Sequence, residues 1–415
     1  MTRSLSRRGF MRQAAGAAAA AAPLFIPARV FGANERVVMG IVGSGGRGRG
    51  VMGDLMAGGA VFSAVCDVFE PNLAKGLEVA AREGATVTAY TDFRRMLEHQ
   101  KDMDAVLIAT PEHQHCRQLV ATVQAGYDCY CEKPMSYSID EGAWTVRKVR
   151  RTDRIVQIGM QRRSSPAVRA AKELFDQGVL GEVFHARAKW NWHYYRVLDN
   201  SPLEGLDVKA FIWPARNVRF EPMMFREWRY FWKFSGGNIT DQGTHLMDVI
   251  QWFLGKEFEP KVPRMAECFG RVYKMIGAET PDIFTAIYEY DTFSAEWTLN
   301  YTSSYQNSWS IEILGTQGAM VLDDHGWRVY DEPWRADERR PWESGKPPAH
   351  LHRGGIPTRP HTDNFLQCVK SRDEPNAPVE IGHLAVVGPH LANLAYHKEK
   401  RAYLDPTGMK ARTRP

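Results

Sequence analysis

The spacing of apolar and polar positions changes near residue 160, and that change divides the chain in two. Before it, continuous apolar runs at 37–42, 61–66, 105–109 and 128–131 alternate with helix-compatible stretches. Such runs are what strands buried on both faces of a parallel sheet look like. Residues 87–90 add a short strand and 155–159 a closing one. Helices are expected over 72–83, 92–100 with Asp92 as N-cap, 116–125 and 139–152. Strand and helix in alternation predict a doubly wound domain over 36–160.

Beyond residue 160 a helix at 167–177, stopped by Gly178, leads into 183–192, where apolar side chains alternate with polar ones. That period of two predicts an antiparallel strand with one solvated face. Further strands are expected at 264–272, 283–290, 294–301, 308–314 and 319–322. A second, sheet-based domain over 161–360 follows, its broad face suited to a subunit interface or a lid over a cofactor. Residues 332–360, rich in Pro and charge, read as a long excursion. The closing stretch 361–415 carries helices at 361–369 and 384–396 that pack back on the core. No internal repeat is found.

The first apolar run empties into Gly43-Ser44-Gly45-Gly46-Arg47-Gly48, and the second ends on Asp67. Strand, glycine turn, helix start, strand and acid in that order form a dinucleotide site. Gly43 permits the turn, Gly45 lets backbone approach a pyrophosphate, and Gly48 lets helix and strand pack closely. The helix N-terminus supplies free N–H groups to phosphate charge. Asp67 is placed to accept from the adenosine ribose hydroxyls, which favours NAD over NADP. Arg47 and Arg49 leave NADP open, since either could reach a phosphate.

Two polar stretches end later strands. Thr110-Pro111-Glu112-His113-Gln114-His115 is expected as a loop at the carboxyl edge of the sheet, where ligands bind. Glu132-Lys133-Pro134 places a lysine, fixed by its proline, where it can donate to a substrate oxygen; a surface lysine satisfies the same letters. Gly236-Gly237 opens a helix on which Asp241 and His245 stand at i, i+4, hence on one face. Histidine titrates nearest neutrality and a carboxylate can orient it, so the pair suits proton transfer beside Lys133. A structural Asp–His pair satisfies the same spacing.

Composition alters this picture only at the N-terminus. Arg3, Arg7, Arg8, Arg12 and Arg29 fall within residues 1–33, which hold no acid, so removing them takes the formal +5 to neutrality. A near-neutral protein gives no support to nucleic-acid or anionic-membrane binding. Ser6-Arg7-Arg8-Gly9-Phe10-Met11 ahead of an alanine-rich core resembles a twin-arginine export signal, which predicts a periplasmic protein delivered by the twin-arginine machinery. No later run approaches the length of a membrane span. That route carries folded proteins, and with no free NAD pool outside the inner membrane the cofactor is expected to be bound in the cytoplasm and to stay bound. The six cysteines read as buried thiols, and no metal-ligand spacing is present.

Taken together, the glycine turn, the Thr110 to His115 stretch, Glu132-Lys133-Pro134, and Gly236-Gly237 with Asp241 and His245 resemble the glucose–fructose oxidoreductase, inositol dehydrogenase and MocA family, in its exported branch. The resemblance covers nearly everything from residue 36 onward. It implies an N-terminal Rossmann domain plus a C-terminal α+β domain with a large, mostly antiparallel sheet, in a homo-oligomer of two or four copies. By it Lys133 is the catalytic lysine, His245 the acid/base and Asp241 its partner. Thr110, Pro111, His113, His115, Glu132 and Lys133 would line the nicotinamide half, and Gln161 the crevice between domains. The family's substrates are mostly sugars and cyclitols. Trp190, Trp192 and Trp228 offer aromatic faces for a sugar ring, and Arg226 or Arg229 could bind hydroxyls or a carboxylate; a packed aromatic core accounts for many of the same rings. A redox-neutral glycosidase and a non-catalytic sugar-binding protein are the competing readings. The retained Glu-Lys-Pro favours a dehydrogenase over the first, and intact Lys133, Asp241 and His245 argue against the second.

Overall fold

The computed structural model describes residues 36–255, 257, 259–332, 345–405 and 410–414; the expected export segment lies outside them. Six strands form the first sheet: β1 Val38–Val42, β2 Val61–Cys66, β3 Thr88–Tyr90, β4 Ala105–Ile108, β5 Asp128–Cys131 and β6 Val156–Ile158. All pairs are parallel, in the order β3-β2-β1-β4-β5-β6. The apolar runs of β1, β2, β4 and β5 are buried nearly throughout, as strands covered on both faces must be. Strand order reverses between β1 and β4, which opens a crevice at their carboxyl ends. The helices between them are α1 Gly46–Ala57, α2 Glu70–Ala80, α3 Phe93–His99, α4 Glu112–Gln124 and α5 Ile139–Val149. Asp92 caps α3 as expected, its side chain accepting from Arg94 N at 2.9 Å.

The stretch 110–115 departs from expectation. It is no loop: Pro111 is the N-cap of α4, and Glu112, His113, Gln114 and His115 form its buried first turn. Their polarity misleads because backbone groups of other elements satisfy them. The His113 ring meets Phe211 O at 3.0 Å and His115 meets Pro134 O at 2.7 Å.

The second sheet has ten strands: β7 Val183–Asn191, β8 Met265–Arg271, β9 Ile283–Glu289, β10 Ser294–Asn300, β11 Ser308–Gly315, β12 Gly318–Asp323, β13 Gly326–Asp331, β14 His350–Arg353, β15 Ala402–Leu404 and β16 Ala411–Arg412. Their order is β14-β13-β12-β11-β7-β10-β9-β8-β15-β16. Pairing is antiparallel except between β7 and β10. Geometry requires that exception. Strands β10 and β11 run antiparallel with β7 inserted between them, so β7 must be parallel to one of them. Strand β14 falls inside the expected excursion and pairs with β13. Alternation is clean along β10: Ala295, Trp297 and Leu299 are buried, and Ser294, Glu296 and Thr298 face the other side. That other face of the sheet exposes Phe269 and Ile287.

Helices α6 Pro166–Asp176, α7 Val208–Ile212, α8 Pro222–Arg226 and α9 Gly237–Phe253 precede β8, and α10 Arg359–Ser371 and α11 Val379–Lys398 follow β14. The buried side of the sheet rests on α9 and α11, and α11 also packs on α5 and β6. Helix α10 lies on α1. All six cysteines are buried and free. Among the described residues no helix is long and apolar enough to cross a membrane.

A buried ion pair fastens α9 to the turn Gln161–Ser164 that leaves the first sheet. Arg163 Nε lies 3.0 Å from both Asp248 oxygens and Nη2 lies 2.8 Å from one, with Arg163 fully buried. Asp248→Ala strands that guanidinium without a partner, which should cost about 3–5 kcal/mol of unfolding free energy. Equilibrium denaturation measures it; a loss below about 1 kcal/mol would show that the pair does not hold the turn to α9.

Candidate functional site

At the carboxyl ends of β1, β2 and β4 lies a cleft of about 390 Å³ whose floor includes Gly43, Gly45, Gly46, Asp67, Thr110 and Pro111. Helix α1 starts there with no side-chain cap at Gly45 and no acid in its first turn, so its leading N–H groups are free for an anion. A Cβ at Gly46 would meet nothing within 4 Å, leaving bare backbone toward the cleft. A Cβ at Gly48 would stand 2.1 Å from Gly43 O, so that glycine serves helix–strand packing. Bare backbone, uncapped N–H groups and a terminal acid fit a dinucleotide's pyrophosphate and ribose.

Asp67 lines this cleft, and its carboxylate also holds the turn. Its Oδ2 accepts from Ser44 N at 2.7 Å and from Ser44 Oγ at 3.2 Å, and its Oδ1 from Phe69 N at 2.9 Å. The two arginines that left NADP open are engaged elsewhere. Arg47 reaches Glu132 Oε1 through Nε at 3.0 Å and Nη2 at 2.8 Å, because buried Glu132 requires a counter-charge. Arg49 Nη1 donates to Ser44 O at 2.5 Å. Glu132 thus braces the glycine turn and packs on Gly159.

Lys133, beyond β5, crosses to α9. Its Nζ donates to Asp241 Oδ1 and to the Asp241 carbonyl, both at 2.8 Å, with side-chain exposures of 12% and 9%. Arg229 Nε donates to the other Asp241 oxygen at 3.1 Å. Burial pushes the Asp241 carboxyl up, but Lys133 and Arg229 outweigh it and hold it at about 2. His245 stands one turn on, yet Asp241 is not its orienting partner: both carboxylate oxygens serve cations from other elements, and His245 Nδ1 is buried without a partner. Desolvation first, then Lys133, Arg162 and Arg47, hold the His245 ring neutral, well below its ordinary value.

The remaining expected residues separate. Thr110 Oγ1 donates to Gln118 at 2.7 Å, and His115 sits between Thr110 O and Pro134 O, tying two ligand-facing strand ends together. His113 turns away from the cleft and packs on Phe211 and Phe234. Gln161 opens the inter-domain turn with a buried, unpartnered Oε1. Trp190 is half-buried opposite Trp309 in the sheet, and Trp192 stacks on Tyr194 at 4.5 Å. Trp228 lines the dinucleotide cleft and carries the Arg229 guanidinium on its face at 4.2 Å. Arg226 lines the same cleft, but its guanidinium is held by Asp199, Ser201 O and Pro202 O, so of the two arginines it is Arg229 that reaches Asp241.

Glu112 is the residue that reasoning from sequence did not single out. It is fully buried, accepts from Gly236 N at the head of α9, and leaves Oε2 unpartnered. Burial foremost, with Asp241 adding to it, pushes its carboxyl up to about 8 against the pull of Ser235, Gly236 and Lys133. An acid directly behind an N-capping proline was the available signal.

Residues 37–160 match the oxidoreductase family, NAD-binding Rossmann fold, and residues 172–386 match the oxidoreductase family, C-terminal alpha/beta domain. The chain belongs to the Gfo/Idh/MocA oxidoreductase family, and NAD is the cofactor its first domain binds. An inositol 2-dehydrogenase of Rubrobacter xylanophilus is 26% identical over 74% of this chain and 77% of its own length. A 2,7-anhydro-N-acetylneuraminate hydratase of Mediterraneibacter gnavus is 24% identical over 54% of this chain and 52% of its own. Two oxidoreductases of Bacillus subtilis are matched over 59% and 55% of their length, so the chain spans little more than half of several curated relatives. A levoglucosan dehydrogenase in complex with NADH and levoglucosan superposes with a TM-score of 0.68 at 18% identity, over 89% of this chain and all of that one.

The raised Glu112 carboxyl has a signed consequence. The folded chain keeps a proton that the unfolded chain releases above its ordinary value near 4.5, so stability falls as pH rises from there to about 8. Glu112→Gln removes that titration. Denaturation at pH 5 and pH 8 should show the variant gaining on the parent by more than about 1 kcal/mol between the two. A difference that stays constant with pH would mean Glu112 is ionised in the folded protein.

Proposed function

We propose that this protein oxidises or reduces a sugar, glycoside or cyclitol by hydride transfer, with an NAD that stays bound through the cycle. The observation that carries the reading is Lys133 Nζ meeting Asp241 across two domains, with His245 one helical turn on. NAD, held along Gly43 to Gly48 and Asp67, supplies the hydride acceptor or donor. Lys133, oriented by the Asp241 carboxylate and carbonyl, presents an ammonium to the substrate oxygen and stabilises charge that develops there. His245, neutral at physiological pH, takes or returns the hydroxyl proton. Arg229, partly open to solvent, supplies a further donor for substrate hydroxyls.

Lys133→Ala and His245→Ala should each lower turnover by about 10²–10⁴-fold without unfolding the chain. The assay is a screen of sugars, cyclitols and glycosides that follows absorbance of the bound nicotinamide. Full activity in either variant would remove that residue from the mechanism.

A second reading, oxidation followed by elimination and hydration, is favoured by the hydratase among the relatives. An aryl glycoside in deuterated water separates the two. Aglycone release with deuterium beside the oxidised carbon supports elimination, whereas keto-sugar without deuterium supports simple oxidation.

We further propose that the chain is exported folded by the twin-arginine route to the periplasm. The support is Arg7-Arg8 ahead of the alanine-rich run, and the need for a retained cofactor where no free pool exists. In fractionated cells Arg7→Lys with Arg8→Lys should leave the protein in the cytoplasm; unchanged periplasmic recovery would refute it.

A further inference from the structure

The cleft that receives the dinucleotide is crossed by a piece of the second domain. Residues 205–213, leading into and through α7, run over the carboxyl ends of β2, β3 and β4. At the first crossing Asp207 N donates to Val68 O and Glu70 N donates to Gly205 O, each at 2.8 Å. At the far end Gln114, in the first turn of α4, reaches up to three carbonyls at the end of α7. Its Nε2 lies 2.9 Å from Ala210 O, 2.9 Å from Phe211 O and 2.8 Å from Trp213 O. Between them Trp213 covers Phe93 at 5.8 Å between ring centroids, and the Arg94 guanidinium rests on the Trp213 face at 4.3 Å. Asp207, Phe211, Trp213 and Arg94 all line the cleft together with the glycine turn.

We infer that residues 205–213 are a strap that locks NAD in place, with Gln114 as its latch and Trp213 and Arg94 as the outer wall of the adenosine end. The inference rests on the reading of this cleft as the dinucleotide site. A dinucleotide held along Gly43 to Gly46 and Asp67 would share the cleft with the strap residues Asp207, Ala210, Phe211 and Trp213. Its departure requires the strap to lift, and lifting breaks the Gln114 bonds and the Val68 and Glu70 bonds together. Because several hydrogen bonds must fail at once before the cofactor can leave, the strap slows dissociation. The strap also gives a physical reason for Gln114, a buried amide whose donors go to another domain's backbone.

The test uses the full chain loaded with NADH and chased with excess NAD, following nicotinamide fluorescence. Gln114→Leu and Trp213→Ala should each release NADH at least about 100-fold faster than the parent, and Trp213→Phe should recover most of the retention. Thermal melts of the NADH-free proteins check that the variants are folded. Parent and folded variants releasing NADH at equal rates would overturn the strap while leaving the dinucleotide site intact. Failure of the parent to bind NADH at all would overturn both the strap and the functional reading beneath it.

Discussion

The site depends on one ion pair, Lys133 to Asp241, because its two members come from different domains. Lys133 leaves the last residues of a parallel strand, and Asp241 lies in the second turn of a helix that supports the other sheet. Both are nearly buried, so much of the attraction between them goes to offsetting lost hydration. Stability is therefore a poor account of the pair. Its use is geometric: carboxylate and carbonyl of one residue fix an ammonium on two sides, and a second cation, Arg229, holds the other carboxylate oxygen. The head of α9 is held from outside as well. Glu112 takes the Gly236 N–H, and Asn393 of α11 donates to the Gly236 carbonyl at 2.9 Å. A helix with no cap of its own is capped by its neighbours, which sets where Asp241 and His245 stand.

Charge around His245 is arranged in one sense. Lys133, Arg162 and Arg47 all oppose protonation of the ring, and Asp241, the acid nearest along the helix, is already spent on two cations. A neutral imidazole results, which suits a group that must accept a proton. Arg162 adds to this field from a site where Nε and Nη1 find no acceptor and the guanidinium rests on Trp309 at 4.2 Å. Burial lowers its pKa to about 10 despite Asp324 and Asp248, and it still carries its charge at neutral pH.

What could be read in the residues beforehand was whatever backbone geometry demands locally. A glycine turn after an apolar run has few alternatives, and Gly43 and Gly48 sit where a Cβ would strike backbone. The period-two stretches became strands with bounds within about two residues of expectation. What escaped were partners far away in sequence. Spacing places Asp241 and His245 on one face but says nothing of a lysine 108 residues away that takes the carboxylate first. His113 and Gln114 looked solvated because their partners are carbonyls some hundred residues further on. Arg47 and Glu132 each looked ligand-directed, and they bind each other. The parallel placement of β7 beside β10 belongs to the same class, since it follows from an insertion that no local pattern records.

Those mutual pairings bear on how the cofactor is held. Asp67 is oriented before any ligand arrives, because Ser44 and Phe69 N–H groups fix its two oxygens. Arg47 fixes Glu132, and Glu132 in turn fills the space beside Gly159. A floor built of groups already bonded to one another does not need ordering when the dinucleotide binds, which removes a cost from association. A rigid floor alone, however, leaves escape toward solvent unobstructed. Closure has to come from the other side of the cleft, and the segment that supplies it belongs to the domain that also supplies Asp241, His245 and Arg229. The proposed cofactor retention and the proposed catalytic alignment thus rest on the same docking between domains, and a change that loosens one should loosen the other.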